Sequence, residues 1–196
     1  GRHMNAILHI NVEERWAEVQ PGVVRDELNH HLKKHGLFFG PNTSTSNRCM
    51  MGGMVGNNSS GSTSISYGTT REKLLGLEVV TVDGVLRSLG TINSEGVQEI
   101  PEAVELWLEQ WAKAWAEENL ATHFPDPSIH RRNTGYAIDL IGADPEALLQ
   151  VLCGSEGTLG LFTSATLHTA PLPRHRGVVL LLFGQLEAAI QTVQSI

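Results

Sequence analysis

The stretch of residues 37–70 constrains this chain more than any other feature, because it combines many small polar residues with large apolar ones. Glycine, serine, threonine and asparagine dominate it, and such a composition is typical of a flexible linker. A linker has no need of the apolar side chains found here, which are Phe38, Phe39, Met50, Met51, Met54, Val55, Ile65 and Tyr67. We therefore expect an ordered loop that packs on a core, with a short helix over Met51–Asn57.

The segments around this loop predict strands and a helix. Residues 7–12 and 16–20 alternate apolar and polar side chains around a polar turn, which indicates a hairpin. Residues 23–36 have the apolar spacing of a helix and end in glycine. The strongest hairpin signal is the pair 75–82 and 85–89, because these β-branched runs flank Asp-Gly.

The second half of the chain predicts two helices, a strand and a domain boundary. Proline near the first turn favours helices over residues 101–119 and 145–152, and a strand is expected over residues 161–169. The Pro-Leu-Pro sequence at residues 171–173 is typical of a boundary.

This boundary divides the chain into residues 1–172 and 173–196. Beyond it we expect a strand over residues 178–183 and a helix over residues 186–196. One strand and one helix cannot close a core by themselves, so we expect them to begin a second domain.

Composition excludes several classes of protein. The 196 residues are 41% hydrophobic and 18% charged, which is ordinary for a globular protein. A formal net charge of -7 argues against a nucleic-acid partner, which usually requires a basic face. No apolar run is long enough for a transmembrane segment. We expect a cytoplasmic protein, and a membrane-peripheral location of the parent protein stays open.

We expect no metal site. Two cysteines are too few for a disulfide framework or a zinc site. His31 and His35 have the i, i+4 spacing of a two-histidine metal site, but no third ligand is evident. A solvated helix face is therefore the better interpretation of this pair.

Two glycine-rich loops are the candidates for ligand binding. Residues 39–53 place Gly52 and Gly53 after a hydroxyl-rich run, where a ligand can approach the backbone and a helix start can present N–H groups to an anion. Residues 153–160 form the second loop. Neither loop has the pattern of a Rossmann fingerprint or a Walker loop. A lone pair of glycines is more often a structural turn, so composition leaves their role open.

Four motifs, in order and spacing, carry a family resemblance: PNTSTSNRCMMGGMVGNNSSG, YGTT, LEVVTVDG and GSEGTLGLFTSATL. With them the chain resembles the FAD-linked oxidases, which have the vanillyl-alcohol-oxidase (PCMH) type of FAD-binding domain. Within that family it resembles the branch of D-lactate, glycolate and D-2-hydroxyglutarate dehydrogenases. The likeness covers most of residues 1–175 and is weakest over residues 95–145.

The resemblance implies an α+β fold, namely the second subdomain of the PCMH-type flavin module, with a mixed or antiparallel sheet flanked by helices. It implies non-covalent FAD, since no histidine stands where other branches attach the flavin. It also implies that the chain is a fragment. The first FAD subdomain, which carries the pyrophosphate loop, would lie upstream, and most of the substrate (cap) domain would lie downstream.

The resemblance further implies which residues contact the cofactor. The first loop would line the flavin and ribityl chain, place a small side chain against the ring and offer backbone to the diphosphate, through Pro41, Ser44, Thr45, Ser46, Cys49, Gly52 and Gly53. Asn57 or Asn58, together with Gly61, would continue this contact, and both asparagines stay open because the spacing in this branch varies by one. Glu156 and Gly157 would flank the adenosine or flavin end. Arg132 could pair with a substrate carboxylate, and a structural salt bridge is at least as compatible with its position.

The implied reaction is oxidation of a D-2-hydroxy acid by hydride transfer to flavin N5, followed by transfer to an electron acceptor that the sequence does not identify. The chain offers no candidate for the catalytic base, which the resemblance assigns to the missing domain. Two alternatives stay open. One is a flavin enzyme of the same fold that acts on another alcohol, and the other is a truncated, non-catalytic FAD-binding fragment.

Overall fold

The computed structural model describes residues 1, 3–90, 102–117, 120–126, 129, 135–141, 147–175 and 177–195. The strands in these residues are β1 (Ile7–Asn11), β2 (Trp16–Val19), β3 (Leu37–Phe38), β4 (Leu74–Val80), β5 (Leu86–Gly90), β6 (Leu161–His168) and β7 (Ala170–Pro171). The α-helices are α1 (Arg25–Lys33), α2 (Met51–Asn57), α3 (Ser64–Tyr67), α4 (Glu102–Glu117), α5 (Ala147–Leu152) and α6 (Leu186–Ser195). Short 3₁₀ turns occur at Arg71–Lys73, Leu120–His123 and Ile138–Leu140.

Five strands form an antiparallel sheet in the order β1-β2-β6-β4-β5. The central strand β6 comes late in the chain and inserts between β2 and β4. Ala165 in β6 pairs with Val19 on one side and Leu77 on the other, and all three side chains are buried. The α+β prediction is confirmed, and the sheet is antiparallel rather than mixed.

The main core lies where α1, α2 and α5 pack against this sheet. Its buried residues include Leu28 and Leu32 from α1, Met54 and Val55 from α2, and Leu152 from α5. Burial of each such side chain stabilises the fold by roughly 1.5–3 kcal/mol. The apolar residues of the glycine-rich stretch therefore belong to the core, as the sequence predicted.

The hairpin of β4 and β5 is confirmed, and its turn has a clear local cause. Gly84 has a φ of 77°, a conformation that glycine adopts without a Cβ clash. The Asp83 carboxylate accepts hydrogen bonds from the Val85 amide and the Thr81 hydroxyl. It also forms an ion pair with Arg87 at 2.7 Å, which lowers the pKa of Asp83.

The prediction of a strand over residues 178–183 is wrong. These residues, all of them described, form no strand, and Val178 is 98% exposed. A strand requires a partner for its backbone groups, and among the described strands none pairs with this segment. The helix that follows, α6, forms as predicted but buries no residue.

The Pro-Leu-Pro segment is tied to the main fold. Strand β7 pairs with β3, and the Leu172 amide donates to the carbonyl of Gly36 at 2.8 Å. Beyond this point no described residue is buried. In the parts of the chain that the structure describes, no helix combines the length and apolar character needed to cross a membrane.

Candidate functional site

A buried arginine of α1 holds the first glycine-rich loop in place. The Arg25 guanidinium, in a residue only 8% exposed, donates from Nε to the Pro41 carbonyl at 2.6 Å and from Nη2 to the Phe39 carbonyl at 3.2 Å. Burial lowers the pKa of Arg25, and the neighbouring Asp26 carboxylate opposes that shift. The side chain of Arg25 in α1 therefore holds the backbone at Phe39 and Pro41 in place.

The residues that follow Pro41 form a turn at the surface. The Cys49 amide donates to the Thr45 carbonyl at 2.8 Å, and the Ser46 hydroxyl donates to Asp26 at 3.0 Å. Ser44 and Thr45 are exposed, whereas Ser46 and Cys49 are half-buried. The Cys49 thiol lies 3.1 Å from the Thr43 hydroxyl, so this cysteine is part of the internal packing of the loop.

The two glycines of α2 have different surroundings. A β-carbon at Gly52 would lie 2.5 Å from Cβ of Pro21, and the Gly52 amide donates to the Pro21 carbonyl at 2.9 Å. A β-carbon at Gly53 would meet no atom within 4 Å. Packing within the protein thus accounts for Gly52 and leaves Gly53 unexplained.

The start of α2 differs from the expectation of free N–H groups that face an anion. The Met51 amide donates to the Val23 carbonyl at 2.8 Å, and the Gly52 amide is bonded to Pro21. These two donors are satisfied inside the protein because the polypeptide before α1 runs along the start of α2.

The structure separates the two adjacent asparagines. Asn58 is 2% exposed, has a φ of 49° and accepts a hydrogen bond from the Arg71 amide through Oδ1 at 2.9 Å. Asn57 is exposed, and its Nδ2 donates to Oε1 of Glu156 at 2.7 Å. Asn58 therefore supports the turn after α2, and Asn57 is the asparagine at the surface.

Gly61, which follows α2, is explained by its contact with the first loop. Its φ is 75°, and a β-carbon there would overlap the carbonyl oxygen of Asn42. The Asn42 amide donates to the Ser60 carbonyl at 2.9 Å. The segment after α2 thus lies in direct contact with the start of the first loop.

The second loop docks on the C-terminal end of α2. The Glu156 amide donates to the Gly56 carbonyl at 2.9 Å, and Glu156 has a φ of 54°. This left-handed conformation costs a non-glycine residue roughly 1–2 kcal/mol, and Gly157 follows with a φ of 76°. Both residues are exposed.

The hydrogen bond between Asn57 and Glu156 joins the end of α2 to the second loop across 99 sequence positions. The structure therefore brings four of the predicted contact residues to the end of α2, namely Asn57, Asn58, Glu156 and Gly157, and of these only Asn58 is buried. The other predicted residues of the first loop extend from the start of α2 back to Pro41.

A groove of about 890 Å³ lies beside the first loop, between α1 and α3. Its charged side chains include Arg25, Asp26 and Lys33, so the lining carries both signs of charge. None of the residues predicted to contact a cofactor lines this groove, although Gly40 and Asn42, which flank Pro41, do.

One buried residue at the site was missed by the sequence analysis. Arg71, 8% exposed, donates from Nη2 to the Cys153 carbonyl at 2.6 Å and from Nε to the Gln150 carbonyl at 3.0 Å. Its sequence neighbours, Thr70 and Glu72, are polar, so a surface position was the natural expectation. No local signal distinguishes this arginine from an exposed one.

The remaining candidates offer little chemistry in the described structure. Burial raises the pKa of the Cys153 thiol to about 12, with Arg71 opposing the shift, so this cysteine stays protonated. Arg132 lies outside the described residues. Among the residues that are described, no group of three or more His, Cys, Asp or Glu side chains could hold a metal ion.

Residues 1–90 match a protein family described as an FAD binding domain. The chain is 38% identical over 200 residues to a D-2-hydroxyglutarate dehydrogenase of Haemophilus influenzae, with 97% of this chain and 20% of that protein covered. It is 30% identical over 196 residues to the glycolate oxidase subunit GlcD of Bacillus subtilis, with 100% of this chain and 32% of that protein covered. The chain thus spans about a fifth of the D-2-hydroxyglutarate dehydrogenases that it matches.

A solved structure of alkyldihydroxyacetonephosphate synthase has the same fold. It superposes with a TM-score of 0.55 at 22% sequence identity, and the match covers 89% of this chain and 23% of that one. At this identity the likeness bears on the fold alone.

Proposed function

Because this chain belongs to the FAD-linked oxidase family, in its 2-hydroxy acid dehydrogenase branch, we propose that it forms one wall of a non-covalent FAD site. The parent enzyme oxidises a D-2-hydroxy acid. The observation that carries this proposal is the contact between the end of α2, the helix that begins in the first glycine-rich loop, and the second loop, through the exposed residues Asn57 and Glu156. The relatives named D-2-hydroxyglutarate dehydrogenase and glycolate oxidase support the substrate class.

The surroundings of Gly53 fit a ligand that approaches the backbone closely. Glycine inside a helix is less stable than alanine by roughly 0.5–1 kcal/mol. No described protein atom lies where a β-carbon at Gly53 would go. A bound cofactor at that position accounts for a glycine that internal packing does not require.

We propose the following assignment of contacts. Ser44 and Thr45, exposed on the first loop, face the flavin and ribityl chain together with Pro41, Ser46 and Cys49. The backbone at Gly52 and Gly53 approaches the cofactor, with Gly53 the exposed residue of the two, and Gly61 continues this contact. Asn57, supported by Asn58 behind it, contacts the cofactor beside Glu156 and Gly157.

The proposed division of the chain follows the pattern of burial. Residues 1–172 form the second FAD subdomain, and the pairing of β7 with β3 ties the end of this unit to its core. Residues 173–196 begin the substrate domain, in keeping with their exposed apolar side chains.

When bound, FAD supplies the redox chemistry, which is acceptance at N5 of a hydride from the carbinol carbon of the substrate. The residues of this chain hold and orient the cofactor. Arg132 binds the substrate carboxylate. The base that takes the hydroxyl proton and the contact with the electron acceptor lie outside this chain.

Titration of the 196-residue chain with FAD tests the proposed wall. We expect flavin fluorescence to change on binding and a visible flavin spectrum to persist after gel filtration. Competition by ADP would assign the contacts to the adenosine end, and competition by FMN would assign them to the flavin end. A chain that stays colourless and leaves FAD fluorescence unchanged would refute FAD binding by this polypeptide.

A turnover assay tests the proposal that the catalytic base lies outside this chain. We expect the chain, with FAD and an artificial electron acceptor, to leave D-2-hydroxyglutarate, D-lactate and glycolate unoxidised. Oxidation of any of them would contradict the proposal that the base lies elsewhere.

A further inference from the structure

A buried junction lies directly behind Asn57 and Glu156. It consists of Asn58 at the end of α2, Arg71, and Cys153 at the end of α5. We propose that Arg71 is a positioning residue of the cofactor site, which fixes Glu156 relative to Asn57 by holding the ends of α2 and α5 together. That Asn57 and Glu156 contact the cofactor rests on the proposed function. That Arg71 positions Glu156 rests on the geometry of the junction.

The side chain of Arg71 binds the end of α5. The last carbonyl groups of a helix lack partners inside the helix and carry partial negative charge. The guanidinium donates to two of them, at Gln150 and Cys153. Its planar fork suits two acceptors at once, which the single ammonium group of lysine does not.

The backbone around Arg71 binds the turn after α2. The Arg71 amide donates to Oδ1 of Asn58, and the Thr70 amide and hydroxyl both donate to the Ser59 carbonyl, at 2.9 and 2.6 Å. Thr70 is completely buried. Thr70 and Arg71 therefore bind the turn after α2, mainly through backbone amides, and the side chain of Arg71 binds the end of α5.

The junction continues directly into the second loop. The amides of Gly154 and Glu156 donate to the carbonyls of Val55 and Gly56, both at 2.9 Å. Gly154 lies so close to Arg71 that a β-carbon there would come within 2.7 Å of Nη2. Since Arg71 binds the residue just before Gly154, its removal should release the loop from α2 and separate Glu156 from Asn57.

Loss of stability alone cannot distinguish positioning from ordinary packing. Removal of Arg71 takes a donor away from the buried Cys153 carbonyl and the partly buried Gln150 carbonyl, and this loss is destabilising whether or not Arg71 positions the loop. A positioning role predicts in addition that the amides of the second loop lose protection from hydrogen exchange more than the amides of the sheet do. The measurement must therefore report on individual amides.

Amide hydrogen exchange on the 196-residue chain, together with FAD titration, provides that readout. In Arg71→Met we expect the Gly154 and Glu156 amides to lose protection about tenfold relative to the amides of β6, from the loss of charged hydrogen bonds. FAD affinity should fall by about tenfold as well. Arg71→Lys should lose less of both, because it keeps the charge.

Leu28→Ala is the matched control, since Leu28 is a buried core residue of α1. It should lower protection evenly and leave FAD affinity nearly unchanged in the folded protein. Guanidinium added at low millimolar concentration should partly restore FAD binding to Arg71→Ala and should not affect Leu28→Ala.

Wild-type protection at Gly154 and Glu156 in Arg71→Met would overturn the positioning role. A loss of FAD affinity no larger than that of Leu28→Ala would overturn its link to the cofactor. Failure of the wild-type chain to bind FAD would refute the proposed function, and hydrogen exchange would then still decide whether Arg71 positions the loop.

Discussion

Replacing Gly53 by alanine tests whether this glycine is required by a bound ligand or by the fold. Gly53 is the third residue of α2, and within a helix alanine is more stable than glycine by up to roughly 0.5–1 kcal/mol. The added methyl group would meet no atom within 4 Å, so no clash offsets this gain. We expect Gly53→Ala to raise the free energy of unfolding by about 0.5–1 kcal/mol.

Gly52→Ala is the matched comparison in the same helix. It gains the same helix propensity, but its β-carbon would lie 2.5 Å from Cβ of Pro21 and 3.1 Å from its Cα. Overpacking of this kind typically costs about 1–3 kcal/mol. The net change in the free energy of unfolding should therefore range from near zero to a loss of about 2.5 kcal/mol.

Urea unfolding followed by tryptophan fluorescence measures both stabilities, and FAD titration measures binding. We expect Gly53→Ala to be more stable than the wild type and yet to bind FAD at least about tenfold more weakly, because the methyl group occupies the contact surface. In Gly52→Ala, FAD affinity of the folded protein should change less. A stabilised Gly53→Ala that binds FAD like the wild type would refute the proposed approach of the cofactor.

Two further predictions concern stability. Gly61→Ala should destabilise the chain more than Gly84→Ala, because both positions have positive φ, which costs roughly 1–2 kcal/mol, but only at Gly61 would the methyl group overlap another residue; equal urea midpoints for the two variants would contradict this. Burial lowers the pKa of His168 below its ordinary value of 6.5, with Lys73 and Arg15 adding to the shift. Its contribution to stability is therefore full above pH 6.5 and is lost as the pH falls through the lowered folded value. His168→Gln should flatten the fall in stability between pH 7.5 and pH 5.5, modestly because the site is partly exposed; equal pH slopes for His168→Gln and the wild type would show the reasoning to be wrong.

The elements that the sequence predicted well are those with local causes. The hairpin of β4 and β5 follows from two β-branched runs around Asp-Gly, and the interactions of Asp83 in the turn are all with neighbours in sequence. The apolar residues of α2 likewise predicted a short helix on the core. The insertion of β6 between β2 and β4 was not predicted, because it depends on contacts between residues far apart in the chain.

The expected strand over residues 178–183 illustrates the same limit. Its residues favour extended backbone, but a strand also needs a partner, and the described residues supply none. Intrinsic preference is a property of the segment, whereas pairing is a property of the whole fold. The apolar run therefore remains exposed.

At the candidate site, composition could find the loops but could not rank their residues. Asn57 and Asn58 are identical side chains one position apart, and only the left-handed backbone and burial of Asn58 distinguish them. The sequence gives even less indication of the role of Arg71. This residue binds the carbonyls of Gln150 and Cys153, which lie beside it only in the folded chain.

Gly52, Gly53 and Gly61 differ in the interaction that requires each of them, and this difference indicates where a cofactor approaches. Gly61 is required by the Asn42 carbonyl, and Gly52 by Pro21. Gly53 is required by nothing in the described protein, although it sits in a helix that alanine would stabilise. Since Asn57 lies one helical turn further along the same helix, next to Glu156, a single ligand that follows α2 could contact both. The surface from Gly53 to Asn57 is thus a more specific candidate for the FAD contact than the glycine content of the loop as a whole.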